Sequence, residues 1–260
     1  MALPLKIATY NVNGIRAAQR KGFSDWLNEK DFDVVCLQEI KANADQIETE
    51  IKAYTDLGYH CHWYSAQKKG YSGTAILSKQ APDNIVNGIG HELFDGEGRV
   101  VRADFGDWSV LSCYFPSGSS GDARQEVKMA FLNYFHDYIA ELRKERPQLI
   151  VCGDYNICHK AIDIHDPIRN KNSSGFLPEE RAWMDKWFES GFTDTFRHFE
   201  KEPEKYTWWS YRAGARQRNK GWRIDYISTT ENLKEQLVGA GHYPNDFHSD
   251  HCASYVHIAL

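Results

Sequence analysis

No cysteine pair of the CxxC type occurs in this chain. Its six cysteines stand singly at positions 36, 61, 113, 152, 158 and 252, so neither a paired-thiolate metal site nor a disulfide-stapled framework is indicated. Three of them lie within apolar strand-like runs, where a small buried residue fits, and a reduced, cytoplasmic protein is expected. Also missing is any apolar run long enough to cross a bilayer. The opening Met-Ala-Leu-Pro-Leu-Lys passes directly into a strand-like run, without the basic-then-apolar order of a secretion signal. No membrane partner is therefore expected. Low-complexity tracts, linkers and fixed-period repeats are absent as well, which favours one domain over residues 1–260.

Basic charge is in short supply. The 31 Lys and Arg are outnumbered by 36 Asp and Glu, giving −5, which argues against a protein that coats DNA nonspecifically, because phosphate affinity comes mainly from clustered cations. Local clustering differs from the average. From Tyr206 to Ile224 the chain carries Arg212, Arg216, Arg218, Lys220 and Arg223 with no acid, so a basic patch can sit on an acidic protein. Aromatic residues, by contrast, are plentiful: 8 Trp, 14 Tyr and 13 Phe, within a 42% hydrophobic composition that can fill a large core.

Apolar runs predict strands over Ile7 to Val12, Val34 to Leu37, Thr74 to Leu77, Val110 to Tyr114, Leu149 to Cys152, Ile224 to Ile227 and Cys252 to Ile258. Helical spacing of Val127, Phe131, Tyr134, Phe135, Tyr138, Ile139 and Leu142 predicts a helix ending before Pro147. A second helix opens on Pro178, Glu179 and Glu180, turns Trp183, Met184, Trp187 and Phe188 inward and stops at Gly191. Shorter helices are expected around Phe23, Trp26 and Leu27, and around Ile47 and Ile51. Two packed sheets with helices outside follow from this mixture, with a doubly wound parallel sheet as the rival. Residues 67–72, 116–123 and 166–175 read as surface loops.

Chemistry-bearing residues gather where the apolar runs end. Asn11 and Asn13 follow one run, and Asp154 and Asn156 another; side chains two apart along a strand share a face. Asn, Asp and Gly also end strands for conformational reasons alone, but two such pairs in one chain point beyond turn chemistry. Glu39 follows Val34 to Gln38 and can deliver a carboxylate to a divalent cation, or merely be a helix cap or a solvated strand end. Asp225 lies among apolar neighbours, so its carboxylate needs a partner. His251 is the natural one, with its tautomer fixed by the acid and its other nitrogen free to face a phosphate. The strand end Gly153-Asp154-Tyr155-Asn156 weakly echoes Tyr10-Asn11-Val12-Asn13, as two related halves would.

In order, the segments Tyr10-Asn11-Val12-Asn13-Gly14-Ile15-Arg16, Leu37-Gln38-Glu39-Ile40-Lys41, Tyr114-Phe115-Pro116, Gly153-Asp154-Tyr155-Asn156, Phe176-Leu177-Pro178-Glu179-Glu180-Arg181, Gly221-Trp222-Arg223-Ile224-Asp225-Tyr226 and Ser249-Asp250-His251 resemble the exonuclease III and AP endonuclease family of DNA-repair nucleases. The resemblance spans nearly the whole chain. It implies a deoxyribonuclease I-like α+β fold, a four-layer α/β/β/α sandwich of two mixed sheets flanked by helices. By the same resemblance Glu39 binds the metal with Asn13, at a position where some members carry Asp; the neutral amide should weaken that grip. Asp154 activates or orients water, Asn11 and Asn156 hold the phosphate and that acid, and Tyr114 meets a phosphate oxygen as phenol or phenolate. His251, oriented by Asp225, stabilises phosphate charge, and Asp250 joins a second metal position. The wider implied metal set is Glu39, Asn13, Asp154, Asn156, Asp250 and His251, with Mg²⁺ as cofactor and Mn²⁺ able to substitute.

The implied reaction is in-line attack of water on a phosphodiester with a 3′-hydroxyl leaving group. At an abasic site this cuts on the 5′ side; the same centre would trim 3′-phosphates or successive 3′-nucleotides. Trp208, Trp222 and Ile224 are implied to wall a flipped-out, baseless deoxyribose, while Arg212, Arg216 and Arg218 hold the duplex backbone. The partner is therefore double-stranded DNA with abasic sites or blocked 3′ ends, met by a monomer in a bacterial-type cytoplasm, with no redox or localisation appendage ahead of the first strand. Ser117 departs from the family's usual Asn or Gln after Tyr-Phe-Pro. Asn13 follows the bacterial pattern, whereas Trp222 before Arg-Ile-Asp follows the other branch. Two alternatives stay open: the same fold acting on a phosphoinositide or sphingomyelin headgroup, and a DNA-binding homologue without catalysis.

Overall fold

Most strands here are buried on both faces, so they read as continuous apolar runs rather than alternating ones. The computed structural model describes residues 3–260. The strands are β1 (Leu5–Asn11), β2 (Val34–Gln38), β3 (His60–Tyr64), β4 (Thr74–Ser78), β5 (Asn84–Asn87), β6 (Val100–Phe105), β7 (Trp108–Tyr114), β8 (Gln148–Asp154), β9 (Phe192–Asp194), β10 (Asp225–Thr230), β11 (Leu237–His242) and β12 (Ser254–Ile258). The α-helices are α1 (Ile15–Gln19), α2 (Phe23–Lys30), α3 (Glu48–Asp56), α4 (Glu92–Gly96), α5 (Asp122–Glu145), α6 (Pro178–Glu189) and α7 (Thr195–Phe199).

Two six-stranded sheets form, ordered β11-β12-β1-β2-β4-β3 and β9-β10-β8-β7-β6-β5. Both have the same plan. One central parallel pair, β1 with β2 and β7 with β8, is flanked by antiparallel neighbours. This shared plan is the structural counterpart of the two echoing strand ends. The doubly wound alternative is excluded, because each sheet is mixed and the two pack face to face.

Alternation along each strand divides the apolar residues between layers. Ile7, Cys36, Ile76, Val110, Ile150, Cys152, Ile227 and Val256 fill the space between the sheets. Ala8, Val35, Leu37 and Leu77 turn outward under Phe23, Trp26 and Leu27 of α2 and Tyr54 of α3. On the far side, Leu111, Cys113, Leu149 and Val151 support Phe131, Phe135 and Ile139 of α5 and Trp183, Met184 and Trp187 of α6. Burial of each such large side chain stabilises by roughly 1.5–3 kcal/mol. The four layers hold the strand axes fixed, which is what gives their ends a defined geometry.

Five strands escape the apolar-run reading: β3, β5, β6, β9 and β11. Four of these are the sheet edges, where one side faces solvent and a continuous apolar run is not needed. The interior exception, β6, is broken by Arg102 and Asp104, which pair with each other at 3.0 Å. The 116–123 segment is a loop only to Gly121, since α5 starts at Asp122.

Candidate active site

β1, β2, β7 and β8 all finish on the same edge of the sandwich, and β10 starts there. The strand registers set Asn11 beside Gln38, Tyr114 beside Asp154, and Asp154 opposite Asp225. Gly153 permits the approach of β7 to β8 that sets Tyr114 beside Asp154: a Cβ there would lie 1.8 Å from the Cys113 carbonyl oxygen. Asp225 is held from the other side, where Thr207 Oγ1 accepts the backbone N–H of both Ile224 and Asp225 at 3.1 Å.

Beyond the strand ends the backbone turns. Asn13, Glu39 and Asn156 have φ of 45°, 50° and 54°, left-handed conformations that Asn tolerates better than most residues. Two matching turns result: Asn13 N–H donates to Asn11 Oδ1 at 2.9 Å, and Asn156 N–H to Asp154 Oδ1 at 2.8 Å. Turn chemistry and site chemistry thus coincide in the same residues. Neither Asn13 nor Asn156 is a strand residue, so the shared-face explanation of their spacing gives way to these side-chain-closed turns.

One amide links the two acids of the site. Asn11 Nδ2 donates to Glu39 Oε1 at 3.1 Å and to Asp154 Oδ2 at 2.9 Å. Tyr114 donates its hydroxyl to Glu39 Oε1 at 2.6 Å. Burial drives the Tyr114 hydroxyl well above its ordinary value, and the Glu39 and Asp154 charges push the same way. Tyr114 thus stands as a hydroxyl donor to Glu39. Arg99, over its ring at 5.0 Å, opposes this only in part.

Glu39 and Asn13 converge on a cationic point. Lys41 Nζ stands 2.6 Å from Glu39 Oε2 and 2.5 Å from Asn13 Oδ1. Burial would raise the Glu39 carboxyl, but Lys41, Tyr114 and Asn11 outweigh it and hold it below its usual value. Carboxylate and carboxamide oxygens are the donors that hard divalent cations take, and their arrangement around an ammonium shows that they fit a positive charge. Asp250 is more fully engaged. It accepts from Asn13 Nδ2 at 2.9 Å, Ser249 Oγ at 3.1 Å and Trp208 Nε1 at 3.0 Å.

His251 Nδ1 lies 2.9 Å from Asp225 Oδ2, and its Nε2 is 3.9 Å from Asp154 Oδ2. Ligand atoms of Asp154, Asp225 and His251 lie within 4.8 Å of one another, a spacing that could suit a metal. The His251–Asp225 hydrogen bond engages Nδ1 and orients the ring, leaving Nε2 turned toward Asp154. Burial alone would depress the imidazolium, but Asp225 first and Asp154 next lift it to about 10. Burial, reinforced by the Asp225 charge, raises the Asp154 carboxyl to about 7 against the pull of His251 and Asn11. Asn156 completes the arrangement, with Nδ2 donating to Phe115 O at 3.0 Å and to Asp154 Oδ2 at 3.3 Å.

An apolar cluster adjoins these groups. Trp208 and Trp222 meet edge to face at 6.0 Å and pack with Ile224, Ile164, Cys158 and Phe176. Gly175 is required under Trp222, since a Cβ there would come within 2.9 Å of the indole. Arg212 and Arg218 are exposed nearby. Arg216 is differently placed: its guanidinium donates to the carbonyls of Ser249, Pro244 and Asp246. Ser117 bonds Ser119 at 2.9 Å, side chain to side chain.

Several contributors carry little sequence signal. Lys41 stands two residues after Glu39, within a segment already singled out, yet only the fold brings its amine between two oxygens. Phe176 was visible as an aromatic before Leu-Pro-Glu-Glu, but not as part of the wall. Lys128 sits on an otherwise apolar face of α5, where it pairs with Glu180 at 2.5 Å, both fully buried, and donates to the Asn156 carbonyl at 2.8 Å. A polar residue inside a helical stripe is the sole hint of that role.

A family model for the Endonuclease/Exonuclease/phosphatase family matches residues 8–251. The exodeoxyribonuclease of Bacillus subtilis is 43% identical over 250 residues, 95% of this chain and 97% of its own. The DNA-(apurinic or apyrimidinic site) endonuclease of Dictyostelium discoideum is 36% identical, over 98% of this chain and 71% of its own. Among solved structures, an AP endonuclease from Archaeoglobus fulgidus superposes with a TM-score of 0.90 at 30% identity, covering 98% of this chain and all of that one. The 3′ phosphatase NExo from Neisseria, bound to a product DNA hairpin, gives 0.90 at 25% identity with the same coverage. The chain belongs to the Endonuclease/Exonuclease/phosphatase family. Within it, the chain stands with the exodeoxyribonucleases and AP endonucleases, a class of DNA-repair phosphodiester hydrolases.

Proposed function

We propose that this protein is a Mg²⁺-dependent AP endonuclease that cuts duplex DNA 5′ to abasic sites and also removes 3′-nucleotides and 3′-phosphates. The observation that carries this reading is the Asn11 amide, whose single nitrogen bridges Glu39 and Asp154 and so unites a cation-binding side with a water-activating side. Glu39 and Asn13 would hold the divalent ion, and when bound it would supply Lewis-acid neutralisation of phosphate charge. Mn²⁺, also satisfied by oxygen donors, should substitute.

The chain's own groups then divide the work. Asp154, raised to about 7, is poised to hold the attacking water and to take its proton near neutral pH. The His251 imidazolium, kept charged by Asp225, faces the phosphate oxygens with Nε2. Tyr114 donates a further hydrogen bond, and Asn11 and Asn156 fix the carboxylates in place. Preorganised donors of this sort stabilise the charge that develops on the phosphate without reorganisation during the reaction. The Trp208–Trp222–Ile224 wall, with Phe176, supports recognition of an apolar, baseless sugar, and exposed Arg212 and Arg218 suit a duplex backbone. No helix among the described residues is long and apolar enough to cross a membrane.

The deciding experiment uses purified protein with Mg²⁺ and a duplex holding one abasic-site analogue, with products separated as nicked, trimmed and 3′-dephosphorylated. Nicking immediately 5′ to the lesion, abolished by EDTA, is expected. Cleavage of phosphoinositide or sphingomyelin headgroups with untouched DNA would overturn the reading.

A further inference from the structure

The segment between β11 and β12, which carries Asp250 and His251, has almost no ladder of its own. Tyr243 N–H to Ala253 O at 2.9 Å closes its base, and Trp209 N–H donates to Asp250 O at 3.1 Å. Its interior carbonyls are gathered by one side chain. Arg216 Nη1 donates to Ser249 O at 2.9 Å and to His251 O at 3.4 Å, and Nη2 to Pro244 O at 3.0 Å and Asp246 O at 2.5 Å. The two faces of the guanidinium are covered too. Its Cζ lies 4.6 Å from the ring centroid of Trp209 and 4.6 Å from that of Phe247.

We infer that Arg216 is a positioning residue for the Asp250–His251 segment rather than a contact to the DNA backbone. Both nitrogen ends are committed to carbonyls and both faces to aromatic rings, and the remaining Nε–H is buried, so no edge is presented to a phosphate. Arginine suits the task because its planar fork reaches four carbonyls while stacking; a lysine ammonium offers the charge without the plane. The chain thereby places His251 by folding a cation under the loop. This inference rests on the nuclease reading only in giving the segment a catalytic purpose.

The test compares Arg216→Gln, Arg216→Lys and Phe247→Leu in the full chain. Hydrogen exchange of the 244–253 amides, kcat and KM on abasic duplex, and the salt dependence of duplex affinity are measured. For both Arg216 variants, exchange should accelerate at least about tenfold and kcat should fall roughly 10- to 100-fold, the cost expected for about 1.4–2.7 kcal/mol of lost positioning. KM and the salt slope should stay as in the parent. Phe247→Leu, at a position 63% exposed, should give the same pattern more weakly. Unchanged exchange and kcat with a salt slope smaller by about one would make Arg216 a phosphate contact and overturn the inference. Charge-retaining Arg216→Lys behaving as the parent, or Phe247→Leu leaving exchange untouched, would also reject it. A parent protein that never nicks DNA, combined with faster exchange in the variants, would instead sink the nuclease reading and leave the positioning role standing.

Discussion

Asp154 and Asp225 face one another as register partners across the antiparallel β8–β10 pair, and His251 touches Asp225 at 2.9 Å while lying 3.9 Å from Asp154. The charge of Asp225 raises both of its neighbours. Activity should therefore rise through an acid limb near 7 and fall through an alkaline limb near 10. Asp225→Asn should move both limbs downward and cut kcat roughly 100-fold. Profiles of kcat against pH for the two proteins check this, and an unmoved alkaline limb would remove Asp225 from the control of His251.

Asp154 is held in a state that costs stability. Its folded carboxyl, at about 7, binds a proton that the unfolded chain has already released above about 4. Stability therefore declines as pH rises from about 4 to 7, and the loss persists above that. His251 runs the other way: its contribution is complete below about 6.5 and fades as pH passes through 10. Asp154→Asn should raise stability at pH 8 by on the order of 2 kcal/mol, roughly 4–8 °C in Tm. The same change should lower turnover about 10²- to 10⁴-fold with duplex binding retained. A lower Tm at pH 8 would contradict the strained-acid account.

Lys41 Nζ occupies the Glu39–Asn13 oxygens, so on the proposed cation reading it would compete there. Lys41→Met should tighten Mn²⁺ binding about tenfold, equivalent to about 1.4 kcal/mol, as read from free Mn²⁺ by electron paramagnetic resonance without DNA. Glu39→Gln should weaken it by at least as much. Equal affinity in parent and Lys41→Met would place the cation elsewhere.

For the apolar wall, Trp222→Ala should erode the preference for abasic over intact duplex about tenfold while slowing the chemical step less. Gly175→Ala offers an independent approach, because its Cβ would press on the same indole at 2.9 Å. Both variants should shift the ratio of kcat/KM values for the two duplexes in the same direction. An unchanged ratio in Trp222→Ala would remove that residue from substrate recognition.

Much of the framework was legible because two-sided burial writes strands as unbroken apolar text. Every interior strand except β6 could be located that way, and α5 and α6 announced themselves by helical spacing and, for α6, by Pro178 and Gly191 at its ends. Edge strands were silent for the same physical reason: one open side relaxes the demand for apolar residues, so His60–Tyr64 and Leu237–His242 carry polar or glycine positions.

Residue type and position at strand ends were enough to nominate Glu39, Asp154, Asp225 and His251, since acids, amides and imidazole are scarce where a core begins. What the linear text could not supply was which neighbours those groups would meet. Lys41 between two oxygens, one Asn11 nitrogen between two acids, Tyr114 held neutral, and Arg216 turned inward under the loop all depend on distances across separate sheets and loops. Such distances are set by packing of four layers, because hydrogen-bond partners and local charge are properties of a place in space, and residues as far apart as Asn13 and Asp250, 237 positions, come to share one only when the chain has folded.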